Sequence, residues 1–248
     1  SAITLEDNGA VLASNYDLPT LNVANAPATI NAKTVSLSAS KVYDGTTDLS
    51  GSVTLSTGVG SETLSYSGAI SNDTNVATAN KYISAITLAD ATDGSGGLVS
   101  NYQLPSLDNA NAPVTITRKA LTISDLSSID KVYDASDDAT ISSYGSLSGI
   151  LFSDDVSLNT GSLGADVANF ADKDVAVDGS GNEVVKTVTL TLTNSDLTGA
   201  DAGNYSISDQ STSNAKILKR DITLRADDRS KTYGDSLSLG NSAFSVAA

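Results

Sequence analysis

The 248-residue chain contains no cysteine, histidine, methionine or tryptophan. Without cysteine and histidine there is no disulfide framework, no Cys/His metal site, and no Ser-His-Asp or Cys-His nucleophile system. Positive charge is also scarce: 14 Lys and Arg stand against 29 Asp and Glu, a formal net charge of −15. An acidic excess of that size repels polyanions, so neither nucleic acid nor an anionic membrane surface is expected as a partner. No apolar run reaches the length that spans a bilayer, so no membrane insertion is expected. The opening Ser1-Ala2-Ile3-Thr4-Leu5 has neither the basic nor the apolar region of a secretion signal.

What remains is a vocabulary of short side chains. Glutamate occurs only at Glu6, Glu62 and Glu183, so aspartate supplies nearly all the acidity. Asp, Asn, Ser, Thr and Gly favour turns and solvated strand faces over helix interiors. No stretch carries helix formers at helical spacing. The fold class expected is all-β.

The sequence repeats itself. Lys41-Val42-Tyr43-Asp44-Gly45 returns as Lys131-Val132-Tyr133-Asp134 and, more loosely, as Lys231-Thr232-Tyr233-Gly234. Asn-Tyr pairs stand at Asn15-Tyr16, Asn101-Tyr102 and Asn204-Tyr205. A basic residue followed by an alternating strand begins at Lys33, Lys119 and Arg220, each time just after another alternating segment. Cutting there divides the chain into 1–32, the C-terminal part of a repeat; 33–118 and 119–219, two complete repeats, the second more divergent; and 220–248, the first strands of a further repeat. The linkers are too short to be floppy.

Inside each complete unit, period-two segments such as 53–56, 62–66, 81–88 and 184–192 alternate apolar with polar residues between Gly- and Asp-rich joints. The strand count matches an immunoglobulin-like sandwich. The architecture expected is a tandem of such β-sandwich repeats in an elongated array.

Lys41 to Thr47, reading Lys-Val-Tyr-Asp-Gly-Thr-Thr, resembles the signature of the YDG repeat domain. The stretch from Ile222 to Asp235 is similar to the related MBG repeat. The second unit departs from the signature, with Ala135-Ser136-Asp137 after Asp134. The resemblance implies Ig-like modules strung in tandem in large bacterial surface adhesins, filamentous-haemagglutinin-like and exported by two-partner secretion. It further implies an extracellular stalk or fibre of the cell surface or biofilm matrix. Its partners would be neighbouring repeats of the same polypeptide, with polysaccharide or a host or bacterial surface bound through other domains. It brings no catalytic residues.

The residues themselves assign architecture to the repeat landmarks. Tyr43 suits a ring packed at a domain edge with its hydroxyl bonded to backbone, and Asp44-Gly45 suits a turn. The aspartate excess raises a calcium reading at Asp172, Asp174 and Asp178 and at Asp90 and Asp93, although neither spacing is that of an EF-hand and hairpin turns explain both. Asp137-Asp138 and Asp154-Asp155 could be taken as paired carboxylates, but neighbours along a strand point to opposite faces. They read as solvated charges, and neither an enzyme nor a bound cofactor is expected. Lys41 and Asn101 are the candidates for an isopeptide cross-link, against a solvated flank for Lys41. Asn72 and Asn204 match the glycosylation acceptor pattern, with burial the better reading for Asn204. The alternatives to a stalk are a polysaccharide-binding module, whose platform would use Tyr66 or Tyr144, and a head-to-tail polymer joined by strand addition.

Overall fold

The computed structural model describes residues 4–247 apart from 10, 21, 23, 25–26, 152, 164–166, 239 and 241–243. Among the described residues the regular structure is strand, with helical geometry confined to three-residue turns. The strands are gathered into two- and three-stranded sheets rather than two broad ones.

In the first unit, Ser36–Val42 is the central strand of three, antiparallel to Val53–Ser56 and parallel to Val114–Thr117. Its alternation turns Leu37 and Ala39 inward and their serine neighbours outward. Ser65–Ser71 pairs with Ile83–Ala89 as a hairpin broken by register shifts. Fully buried Ile83 and Leu49 anchor this core, each such aliphatic side chain contributing about 1.5–3 kcal/mol.

The second unit repeats the frame around Ala168–Phe170, Lys186–Leu190 and Gln210–Ala215, with Val188, Leu190 and Ile217 fully buried. Its opening strand is fragmented. Lys33 to Tyr43 is ten residues, Lys119 to Tyr133 fourteen. The extra length emerges as a kink at Asp125, which adopts a φ of 60°, and breaks the run into Thr122–Ser124, Ser127–Ile129 and Lys131–Val132. One of the Gly- and Asp-rich joints, Asp178–Asn182, turns a hairpin, with Val177 bridged to Glu183. Of the alternating segment Asp174–Val177, Val177 alone joins a ladder, as that bridge residue.

The two ends of each unit keep one register despite the insertion. Lys33 pairs in parallel with Tyr102, and Lys119 with Tyr205. Lys41 pairs with Ile116, and Lys131 with Ile217. One residue, Arg118, separates the strand Val114–Thr117 from Lys119–Ala120, the next unit's first strand. Beyond Arg220, Thr223–Ala226 pairs with Phe244–Ala247.

Candidate functional site

Each Asn-Tyr landmark closes a three-residue 3-10 turn, with the tyrosine N–H returning to the turn's first carbonyl at Tyr16, Tyr102 and Tyr205. The tyrosine then leaves in extended geometry, and Tyr102 and Tyr205 lie beside the unit's opening lysine. This local device aims the Asn204 and Tyr205 side chains at the preceding unit.

They meet the signature of that unit. The rings of Tyr43 and Tyr205 stand edge to face, with centroids 5.5 Å apart at 77°, a contact that contributes about 0.5–1.5 kcal/mol beyond burial. Both hydroxyls donate to Oδ2 of Asp154, Tyr43 at 2.9 Å and Tyr205 at 2.6 Å. Tyr205 in turn accepts the Leu151 N–H at 3.0 Å. Beside them Asn204, 4% exposed, accepts the Val76 N–H at 2.8 Å and donates to Asn75 Oδ1 at 3.0 Å. Arg118 Nε donates to the Gly203 carbonyl at 3.1 Å, so the linking residue is itself bonded. Gly45, at a φ of 76°, sits where a Cβ would come within 3.2 Å of Leu151, so the signature glycine serves the neighbour's approach as well as its own turn.

Burial, and after it the Asp154 hydrogen bond, push both phenols up to about 12 from the usual 10.0. The folded pKa lies above the unfolded one, so the protonated phenols stabilise the junction fully below pH 10, and that contribution is lost as pH rises toward 12. Titration of phenolate absorbance should show a late pair near pH 12 that disappears in the Y43F/Y205F double variant; a late phase of unchanged size there would contradict the assignment.

A lysine clips the signature loop of each complete unit. Lys41 Nζ donates to Asp44 Oδ1 at 2.6 Å and to the carbonyls of Thr46 at 2.7 Å and Asp48 at 2.8 Å. Its side chain is 7% exposed, so Lys41 is a buried clip and not the solvated flank expected, and its donors face this loop rather than Asn101. Lys131 repeats the arrangement with Asp134, Ser136 and Asp138. Burial resists ionisation of Asp44, but the Lys41 and Thr46 donors outweigh it and hold its pKa low. Asp134 is held down at about 2, chiefly by Lys131. Lys81 and Lys186 likewise clip the loops at 76–78 and 172–174 through backbone carbonyls. The third signature differs: Tyr233 is fully exposed beside Gly234, and among the described residues Lys231 reaches the Asp235 carbonyl alone.

The calcium candidates do not converge. Asp172 accepts Lys186 Nζ and the Asp174 N–H; Asp174 accepts Lys173; Asp178 caps its hairpin through Ser180 and Asn182. Asp90 accepts the Val99 N–H, and Asp93 accepts from Ser95 and Thr63. Among the described residues no three acidic groups gather as a metal site. Asp155 caps the Ala200 and Asp201 turn, while Asp154, expected to be solvated, is the hub of the junction. Tyr66 is committed to the Val53 N–H, leaving Tyr144 on a mixed recess with Ile123, Leu147 and Ser157. Asn101 is exposed; Tyr102 donates to Glu62 Oε2 at 2.5 Å, and this hydrogen bond raises its pKa.

Asp154 escaped the sequence reading, yet a signal exists. The turn Val59-Gly60-Ser61-Glu62 closes through the Glu62 N–H on the Val59 carbonyl, and the turn ending at Asp154 closes identically on Leu151. The two acids therefore hold one structural position and both receive their unit's Asn-Tyr hydroxyl.

Among known proteins, no curated sequence and no solved structure matches. A family model does match, the one described as the YDG domain, over residues 117–213. That range covers nearly all of the second unit, whose signature is the looser of the two complete ones. Residues 117–213 of this chain are thus a YDG domain, a module typical of bacterial surface repeat proteins.

Proposed function

We propose that this chain is a structural spacer of an extracellular bacterial surface or biofilm-matrix adhesin, an array of repeats that holds a distal binding domain away from the cell and carries tension. The observation that carries this reading is the junction of Tyr43, Asp154 and Tyr205, reinforced by Asn204. A linker of one residue, bonded on both sides of the boundary, limits bending between units. The lysine clips fasten loops to strands where a pull along the chain would enter each unit. An Asp- and Ser-rich surface keeps a crowded fibre soluble. In this role the chain is non-enzymatic, its partners are neighbouring repeats, and it neither binds nucleic acid nor enters the membrane. Among the described residues no helix is long and apolar enough to cross a bilayer.

Small-angle scattering tests the spacer directly. A compact body of this length would have a radius of gyration of roughly 18 Å. The spacer requires a clearly larger value with a rod-like distance distribution. A value at the compact limit would mean that the units fold back on one another, and the reading would fail.

A further inference from the structure

The far end of the second unit carries an open half of the junction just described. Tyr133, Ala135 and Val175 form one wall of a recess of about 490 Å³, and Lys219, Arg220 and Ile222 form the other. Tyr133 occupies the signature position of Tyr43. Arg220 follows the closing strand as Lys119 does, and Lys119 is the residue beside which Tyr205 pairs. Val175 follows a turn in which Asp172 Oδ1 accepts the Asp174 N–H, as Val76 follows one in which Asp73 Oδ1 accepts the Asn75 N–H.

The polar groups repeat as well. In the filled junction the Val76 N–H bonds Asn204 Oδ1 and the Tyr43 hydroxyl bonds Asp154. Among the described residues the Val175 N–H and the Tyr133 hydroxyl make no hydrogen bond, and Ile222 is 59% exposed. The complementary half stands at the opposite end of the first unit, where Tyr102 is bonded to Glu62 and Asn101 is exposed, with no signature against it among the described residues. Each complete unit thus carries both halves of one coupling.

We propose that this recess is the seat of the Asn-Tyr turn of a further YDG-type unit, its tyrosine packed on Tyr133 and paired beside Arg220, its asparagine bonded to Val175 and Asp174. Ala135 refines the choice of occupant. It holds a φ of 70° where the first unit has Gly45, so its Cβ occupies the space that Leu151 approaches in the filled junction. The occupant therefore carries a smaller residue there, as the first unit does at Val59. Lys219, at the place of Arg118, lines the recess but gives its ammonium to the Gly181 carbonyl.

The test lengthens the chain by joining residues 33–118 directly after Lys219. Amide exchange at Val175 should slow at least tenfold relative to the 248-residue chain, and nitration of Tyr133 by tetranitromethane should fall by a similar factor. Both protections should be lost when Asn101 of the added unit is replaced by alanine. If the added unit does not fold, seen as two exchange populations in peptides common to both copies, joining residues 119–219 to a chain carrying A135G repeats the trial with Leu151 accommodated. Unchanged Val175 exchange and Tyr133 reactivity in a folded, lengthened chain would overturn the proposal. This seat rests on junction geometry and not on the mechanical role, so a rod-like scattering profile with an unprotected Tyr133 would sink the one and leave the other standing.

Discussion

Replacing Asp154 with alanine is expected to destabilise the paired units by about 2–4 kcal/mol, because two phenol hydroxyls then lose their acceptor in a closed interface. Tyr43 is 4% exposed and Tyr205 fully buried, so water cannot take over the bond without opening the junction. Urea unfolding should show a midpoint at lower denaturant with an unchanged slope. The conservative variant is informative, since D154E supplies the acid that the first unit already uses on Tyr102 and should recover most of the loss. An alanine variant as stable as the parent would mean that the ring contact and Asn204 suffice to hold the boundary.

The second large effect lies inside the first unit. K41M keeps the aliphatic stem but removes an ammonium that donates to one carboxylate and two loop carbonyls, and charge-assisted bonds of this kind carry about 1.5–3 kcal/mol each without adding fully. A loss of about 2–4 kcal/mol follows, with the loop 44–48 gaining rapid amide exchange. K131M should cost less, since Lys131 is more accessible at 17% against 7% for Lys41. Equal losses in the two variants would show that burial does not set the strength of these clips. Acid should weaken the clips in the same order of logic. Asp44 and Asp134 have folded pKa values below 3.8, so their contribution is present above that value and disappears as pH falls toward 2.

Much of this was legible because a repeat compares a chain with itself. The return of Lys-Val-Tyr-Asp and of Asn-Tyr marks Tyr43 and Tyr205 as architectural before any geometry is known, and the burial expected for Asn204 holds. Period-two alternation likewise places Leu37 and Ala39 inward. The partnership of the two tyrosines was not legible. It depends on Asp154, which is 111 residues from Tyr43 and matches Glu62 only through a short turn in which a serine precedes a different acid. Lys41 misled for another reason. Burying an ammonium requires carbonyls arranged around it, and carbonyls are common to every residue, so sequence cannot display the cage. The aspartates at 93, 172 and 178 were better served by the ordinary chemistry of turns, in which a short carboxylate caps the backbone N–H two residues ahead, while Asp90 caps the more distant Val99 and Asp174 pairs with Lys173.

The constancy of the end registers has a consequence for how such arrays change. The second unit absorbs extra residues between Lys119 and Tyr133, yet still presents Lys119 to Tyr205 and Lys131 to Ile217 as the first presents Lys33 to Tyr102 and Lys41 to Ile116. Length varies in the interior while the couplers stay fixed. Modules built this way are nearly interchangeable parts: repetition of the first unit between two basic residues gives each joint a matching mate, whereas repetition of the second sets Leu151 against the Ala135 Cβ and calls for a glycine there.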